Sequence, residues 1–203
     1  TPSTQARKLN AIASGALPNG DPVVVNADGT VSVVAETSAS IGSEAVYETD
    51  EVGFNTAVFD SSNNKVIVVY RTYNGGSPLM EYVVGTVSGS SISFGSVGTA
   101  MNSDNQQLDS VFDSENNRIV VVFRNGNDSS HGYAIVGSLS GTTVSWGSAT
   151  EFNNNNSAEL AITFDSTANK VVISYRNYGN SSYGTAVVGT VSGFFYSNFG
   201  WYE

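Results

Sequence analysis

Apolar and polar positions alternate along this chain on a long period rather than a short one. The run Val66-Ile-Val-Val-Tyr70 is almost wholly β-branched. It returns as Ile119-Val-Val-Val-Phe123 and as Val171-Val-Ile-Ser-Tyr175. A strand with one wet face alternates with period two, so a continuous run predicts a strand buried on both faces. Each run follows the tripeptide Phe-Asp-Ser and ends on arginine. The aspartates Asp60, Asp113 and Asp165 lie 53 and 52 residues apart, as do Arg71, Arg124 and Arg176. A later Val-Gly pair falls at Gly85, Gly137 and Gly189, followed by Ser-Gly at Ser88, Ser140 and Ser192. So many markers in one order at one interval define an internal repeat.

Each unit predicts four short strands. In the first unit they are 54–60, 65–71, 82–87 and 91–95. The turn Ser61-Ser-Asn-Asn64 joins the first two with residues that bond their own backbone and tolerate left-handed conformations. The fourth strand alternates, with Ile92 and Phe94 on one face. Only Thr4 to Ala13 carries mild helical character. The fold class expected is all-β, with β-propeller-like repeats of about 52 residues as four-stranded blades. They would form a small four-bladed ring or an open array completed by oligomerisation. The repeats are expected at 52–101, 102–153 and 154–203. Residues 1–51 would be an N-terminal docking segment or a degenerate first blade. In favour of a blade, Asp21 to Val34 reads as a hairpin turning at Asp28-Gly29. Ser40-Ile-Gly-Ser43 also echoes the fourth-strand motifs Ser93-Phe-Gly-Ser96 and Ser145-Trp-Gly-Ser148. In the third unit the aromatic stretch Phe194 to Tyr202 replaces the polar fourth strand. It could close a ring or plug into another subunit.

Charge narrows the partners. Among 203 residues, 8 are Lys or Arg and 18 are Asp or Glu, a formal net charge of −10. Nucleic-acid binding needs clustered cations, so it is not expected; nor is adsorption to an anionic membrane. No apolar run approaches the roughly 18 residues of a membrane span. Without cysteine there is neither a disulfide nor a thiolate metal site. The polar, basic start Thr1 to Asn10 does not read as an intact secretion signal.

Candidate chemistry is sparse. The one histidine, His131, lies in a loop found in a single repeat, and no nucleophile–base arrangement can be assembled around it. Glu44, Glu48, Asp50 and Glu51 cluster in a connecting segment that should face solvent. The Phe-Asp-Ser aspartates recur in every unit, as turn caps do and catalytic acids do not. No calcium-loop or other metal motif occurs. Catalytic residues, metal and cofactor are therefore all expected to be none. The arginines end strand two, away from the aspartate turn, where the variable loops after strand two and before strand one should share a rim. That rim offers Arg71, Tyr73, Arg124, His131, Arg176 and Tyr178 as candidate ligand contacts, since planar polar groups bond sugar hydroxyls and aromatic faces stack on sugar rings. The plainer reading has each arginine paired within the chain.

The repeat Phe-Asp-Ser-x-x-Asn-Lys-Val-x-Val-x-Tyr-Arg, then Val-Val-Gly-Thr-Val-Ser-Gly and Ser-Phe-Gly-Ser, resembles repeats in tail-fibre-like and other structural virion proteins of marine tailed bacteriophages. Ala13 to Val31 is similar to segments of such proteins as well. The resemblance implies a non-enzymatic virion or appendage component, on the virion surface or extracellular, with host-surface contact as its role. Its partners would be other virion subunits or copies of itself, and a host glycan. The alternative is a carbohydrate-binding lectin or cell-surface adhesin. A propeller glycosidase ranks third, because no acid pair unique to one repeat stands out.

Overall fold

The three valine-rich runs form the central strands of three stacked repeats. In the computed structural model, residues 11–34, 41–73, 78–192 and 195–196 are described. The chain divides into two units, Thr1–Ile41 and Gly42–Glu203. All regular structure among the described residues is β.

The first unit is a three-stranded sheet of β1 (Ile12–Ala13), β2 (Val23–Val25) and β3 (Thr30–Val33), in the order β1-β3-β2. The hairpin expected at Asp28-Gly29 is present. Gly29 takes φ +80°, a conformation glycine adopts without penalty, and the Thr30 N–H donates to Asp28 Oδ1 at 3.0 Å. Val31 is buried, whereas Val23, Val24 and Val25 are exposed. Of the segment read as mildly helical, Ile12–Ala13 is strand, and residues 4–10 lie outside the described set.

The second unit carries the repeats. The first comprises β4 (Val52–Asp60), β5 (Lys65–Thr72), β6 (Leu79–Ser88), β7 (Ser91–Phe94) and β8 (Gly98–Met101). The second has β9 (Asn105–Asp113), β10 (Arg118–Asn125), β11 (His131–Ser140) and β12 (Thr143–Trp146). Then come β13 (Thr150–Asp165), β14 (Lys170–Asn177), β15 (Tyr183–Gly189), β16 (Val191–Ser192) and β17 (Phe195–Tyr196). Neighbours in each repeat pair antiparallel, and the fourth strand is interrupted. β7 pairs with the far half of β6 and β8 with its near half, with the break at Gly95–Val97. In the next repeat the near half is the start of β13, which runs on to become the first strand of the third repeat. The expected echo at Ser40–Ser43 is not a strand: 41–51 is irregular up to Val52, and Ser40 lies outside the described residues. Of the aromatic end, Phe195–Tyr196 pairs with Val191–Ser192; Phe194 and 197–202 lie outside them too.

Recurring residues have local reasons. Asp60 Oδ1 accepts the N–H groups of Ser62 and Asn63 at 2.9 and 3.0 Å. Asp113 and Asp165 hold their turns in the same way. Asn64, Asn117 and Asn169 close these turns with φ of 52°, 52° and 53°. Burial pushes the Asp60 carboxyl up, but hydrogen bonds from Ser62 and Asn63 outweigh it and hold the group below its ordinary value. The Val-Gly glycine faces an aromatic ring. A Cβ on Gly85 would come within 3.0 Å of Phe94, and one on Gly137 within 2.8 Å of Trp146.

Strand two is buried on both faces in the first two repeats, as the unbroken runs predict, whereas in the third only one face is buried and Ser174 is exposed. Ile67, Val69, Tyr82 and Val84 of the first repeat pack against Ile119, Val121, Phe123 and Ile135 of the second. The opposite face of the second, Val120, Val122 and Val136, packs against Val171, Ile173, Tyr175 and Val187 of the third. The same tail face of each repeat thus meets the same head face of the next. First strands are also neighbours: the Thr56 and Ser110 hydroxyls lie 2.8 Å apart, and Asp109 Oδ2 accepts the Ile162 N–H at 2.9 Å. On the outer side of the first repeat, Val68, Tyr70 and Val83 are buried, and Tyr47 packs there with its ring 5.0 Å from that of Tyr70.

Candidate functional site

A rim does form where the loops after strand two meet the segments before strand one. The Gly126 N–H donates to the Asp104 carbonyl at 2.7 Å, and the Asp104 N–H to Asn127 Oδ1 at 3.0 Å. One repeat later the Tyr178 N–H donates to the Asn156 carbonyl at 3.0 Å. At this rim each first strand carries a bulge with a left-handed residue: Phe54, Gln107 and Glu159, with φ of 49°, 51° and 55°.

The three arginines are engaged within the chain. Arg71, only 7% exposed, sits 4.0 Å from the centre of the Tyr73 ring, with Nε 2.7 Å from Asp104 Oδ1. That contact is an ion pair rather than an aligned hydrogen bond, because neither atom has a hydrogen-bond partner. Arg124 donates to Gln106 Oε1. Arg176 lies 4.7 Å from the Tyr178 ring centre and 3.5 Å from Glu159, an exposed pair. The structure therefore joins Arg71 to Tyr73 and Arg176 to Tyr178, each within its own repeat. It does not bring all six sequence candidates to one point.

Arg176 also borders an open concavity of about 580 Å³, lined by Glu159, Ser174, Tyr175, Ser182, Gly184, Thr185 and Ala186. This hollow is on the tail face of the third repeat. Its counterparts in the first two repeats are covered by the repeat that follows. Here Thr163, Ser174, Ala186 and Val188 are exposed instead, and Val172 is half-buried. The head face of the first repeat is incompletely covered as well. Phe59 and Val87 are each 53% exposed. Their equivalents Phe112 and Leu139, then Phe164 and Val191, pack in the two cores between repeats.

His131 pairs with Asn125, next to Arg124 on β10, and its Nδ1 lies 2.7 Å from Glu151 Oε1 and 3.7 Å from Asp128 Oδ2. The Tyr133 hydroxyl donates to Asp128, and that bond together with burial raises the phenol to about 12. Sequence reasoning missed Glu151 because the pairing of β11 with β13, not a sequence spacing, brings it to His131; Asp128, three residues before His131 in one turn, was within reach of a spacing argument. No helix among the described residues is long and apolar enough to cross a membrane.

The chain matches no protein-family model, no curated protein and no solved structure.

Proposed function

We propose that the protein is a non-enzymatic structural component of a phage virion or appendage, contributing to host-surface attachment. It would work by stacking head to tail with further copies of itself. The observation that carries the stacking is the pair of exposed end faces. Phe59 and Val87 at the head are the equivalents of residues buried at both internal junctions. Thr163, Ser174 and Ala186 at the tail stand where the internal junctions place Val58 or Val111, Val69 or Val122, and Tyr82 or Ala134. This smaller, more polar tail tolerates water, as a surface that associates after folding must. A copy offering its head to such a tail makes a heterologous contact, which closes into a ring or extends as a filament. The virion setting rests on the likeness of the repeats to those of phage structural proteins. We read the repeats as propeller-type blades; the adjacent first strands, which would line the axis, support that reading.

Light scattering on the eluted protein tests the stacking. Defined oligomers or filaments are expected. Phe59→Asp and Val188→Asp should each block growth, both at exposed positions where folding survives. Mixing these variants should restore one sound interface and give dimers. A wild-type monomer at all accessible concentrations would overturn the reading. The second reading, a lectin, is favoured by the hollow beside Arg176 and Tyr178. Glycan binding by a monomer, lost in Arg176→Ala, would select it.

A further inference from the structure

His131 is the chain's one histidine, and the fold sets two carboxylates beside it. One donor atom from each of His131, Asp128 and Glu151 lies within 4.8 Å of the other two. We propose that these three side chains bind one divalent transition-metal ion, zinc being the ion they suit best. A tetrahedral zinc with ligand bonds of 2.0–2.1 Å needs its donor atoms about 3.3 Å apart. The distances from Nδ1, 2.7 Å and 3.7 Å, fall on either side of that value. A small outward rotation of Glu151 and a small inward one of Asp128 would admit the ion. The nitrogen donor and the low ligand number disfavour calcium and magnesium, which take six or more oxygens. The side chains are 23%, 46% and 38% exposed for His131, Asp128 and Glu151, so water can complete the coordination.

The backbone holds the donors in place. Asp128 and His131 are the ends of a tight turn, in which the His131 N–H donates to the Asp128 carbonyl at 2.9 Å. Ser129 and Ser130 within it take φ of 49° and 64°. Glu151 pairs with Tyr133 across β11 and β13, where irregular register on either side of Gly132 sets it beside the histidine. The Tyr133 hydroxyl orients the Asp128 carboxylate, as outer-shell groups do for metal ligands.

The turn itself does not require these residues. The third repeat builds the same turn from Asn180-Ser-Ser-Tyr183, with φ of 52° and 63° and a matching Tyr183 N–H to Asn180 carbonyl bond of 2.9 Å. The first repeat has Leu79 and Thr99 where the second has His131 and Glu151. All three donors thus coincide in one repeat, on a scaffold that folds without them. Stacking does not depend on this site, so the two proposals fail separately.

The test uses the untagged full chain, with calorimetry in Zn²⁺ and visible absorption in Co²⁺. One equivalent should bind, with the intense d–d bands of low-coordinate cobalt. Because there is a single histidine, the imidazole ¹⁵N spectrum should show ligation at Nδ1 directly. Asp128→Asn and His131→Tyr install the third repeat's residues, so they should keep the wild-type melting temperature without metal while weakening binding at least tenfold. Glu151→Gln should do the same. At free zinc one hundred times Kd, the folded-to-unfolded ratio of wild type should rise about a hundredfold. The proposal falls if no ion binds below millimolar concentration. It falls equally if the variants bind as tightly as wild type, which would mean diffuse attraction to an acidic surface, or if the imidazole resonances do not move.

Discussion

Tyr82 bolts the first repeat to the second, and removing one oxygen should measure the junction. Its hydroxyl donates to the Val144 carbonyl at 3.2 Å and accepts the Val144 N–H at 3.0 Å. Val144 belongs to β12, the edge of its sheet, so these backbone groups have no further strand to pair with. Tyr82 is 5% exposed and Val144 4%, which leaves little access for water. In Tyr82→Phe the ring keeps its edge-on contact with Trp146, at 5.8 Å between centres, and its burial is nearly unchanged. What is lost is the partner of two buried polar groups. Each orphan costs about 1–3 kcal/mol; allowing for partial relaxation at an edge strand, about 2–3 kcal/mol in all is expected. For a domain of this size 1 kcal/mol moves the melting temperature by about 2–4 °C, so a fall of roughly 4–12 °C should follow. Calorimetry reads the shift, and hydrogen exchange at the Val144 amide should quicken in parallel. Tyr183→Phe, at a position 63% exposed, is the control and should change nothing. A Tyr82→Phe melting temperature within 2 °C of wild type, with Val144 exchange unaltered, would refute the bolt.

Two further outcomes follow from side-chain environments. Alanine at the rim arginines should destabilise in the order Arg71, Arg124, Arg176, because only the first is buried against both a carboxylate and a ring; about 2 kcal/mol is expected for Arg71→Ala and under about 0.5 kcal/mol for the exposed Arg176 pair. Equal losses at all three positions would contradict the burial. Alkaline titration should show phenols that ionise late: burial raises Tyr47, Tyr70 and Tyr175, and the bond to Asp128 raises Tyr133 to about 12. A raised phenol favours the folded state below its unfolded value near 10, and that contribution is lost as the pH climbs through 12. Tyrosinate absorbance should therefore lag behind that of the unfolded chain, and Tyr133→Phe should remove one late step. A Tyr133 phenol titrating near 10 would contradict its bond to Asp128.

The repeats were legible because their signals are local. An unbroken Val66–Tyr70 run reports two-sided burial, an Asp-x-x-Asn turn reports its own hydrogen bonds, and a glycine opposite an aromatic recurs at the same interval. The interrupted fourth strand was not legible, since Gly98–Met101 has no alternation and its pairing with Met80–Tyr82 depends on where the preceding bend points it. The rim followed from topology alone, yet the fate of each arginine did not: Asp104 reaches Arg71 from the next repeat, and the strand-one bulges decide which side chain of their own hairpins, Gln106 or Glu159, meets Arg124 and Arg176. The same holds for His131, whose neighbour Glu151 arrives through a strand register that no spacing rule encodes. Most instructive is the third repeat. In sequence its run Val171-Val-Ile-Ser-Tyr175 looks like a weakened copy, with Ser174 where Val69 and Val122 stand. In the fold, Ser174 is on the one tail face that no described repeat covers, while Ile173 and Tyr175 on the other face remain buried. The substitution spares the covered face and polarises the open one. That exchange puts a polar side chain where water reaches the strand, as an open face requires, and it accords with the stacking surface proposed above.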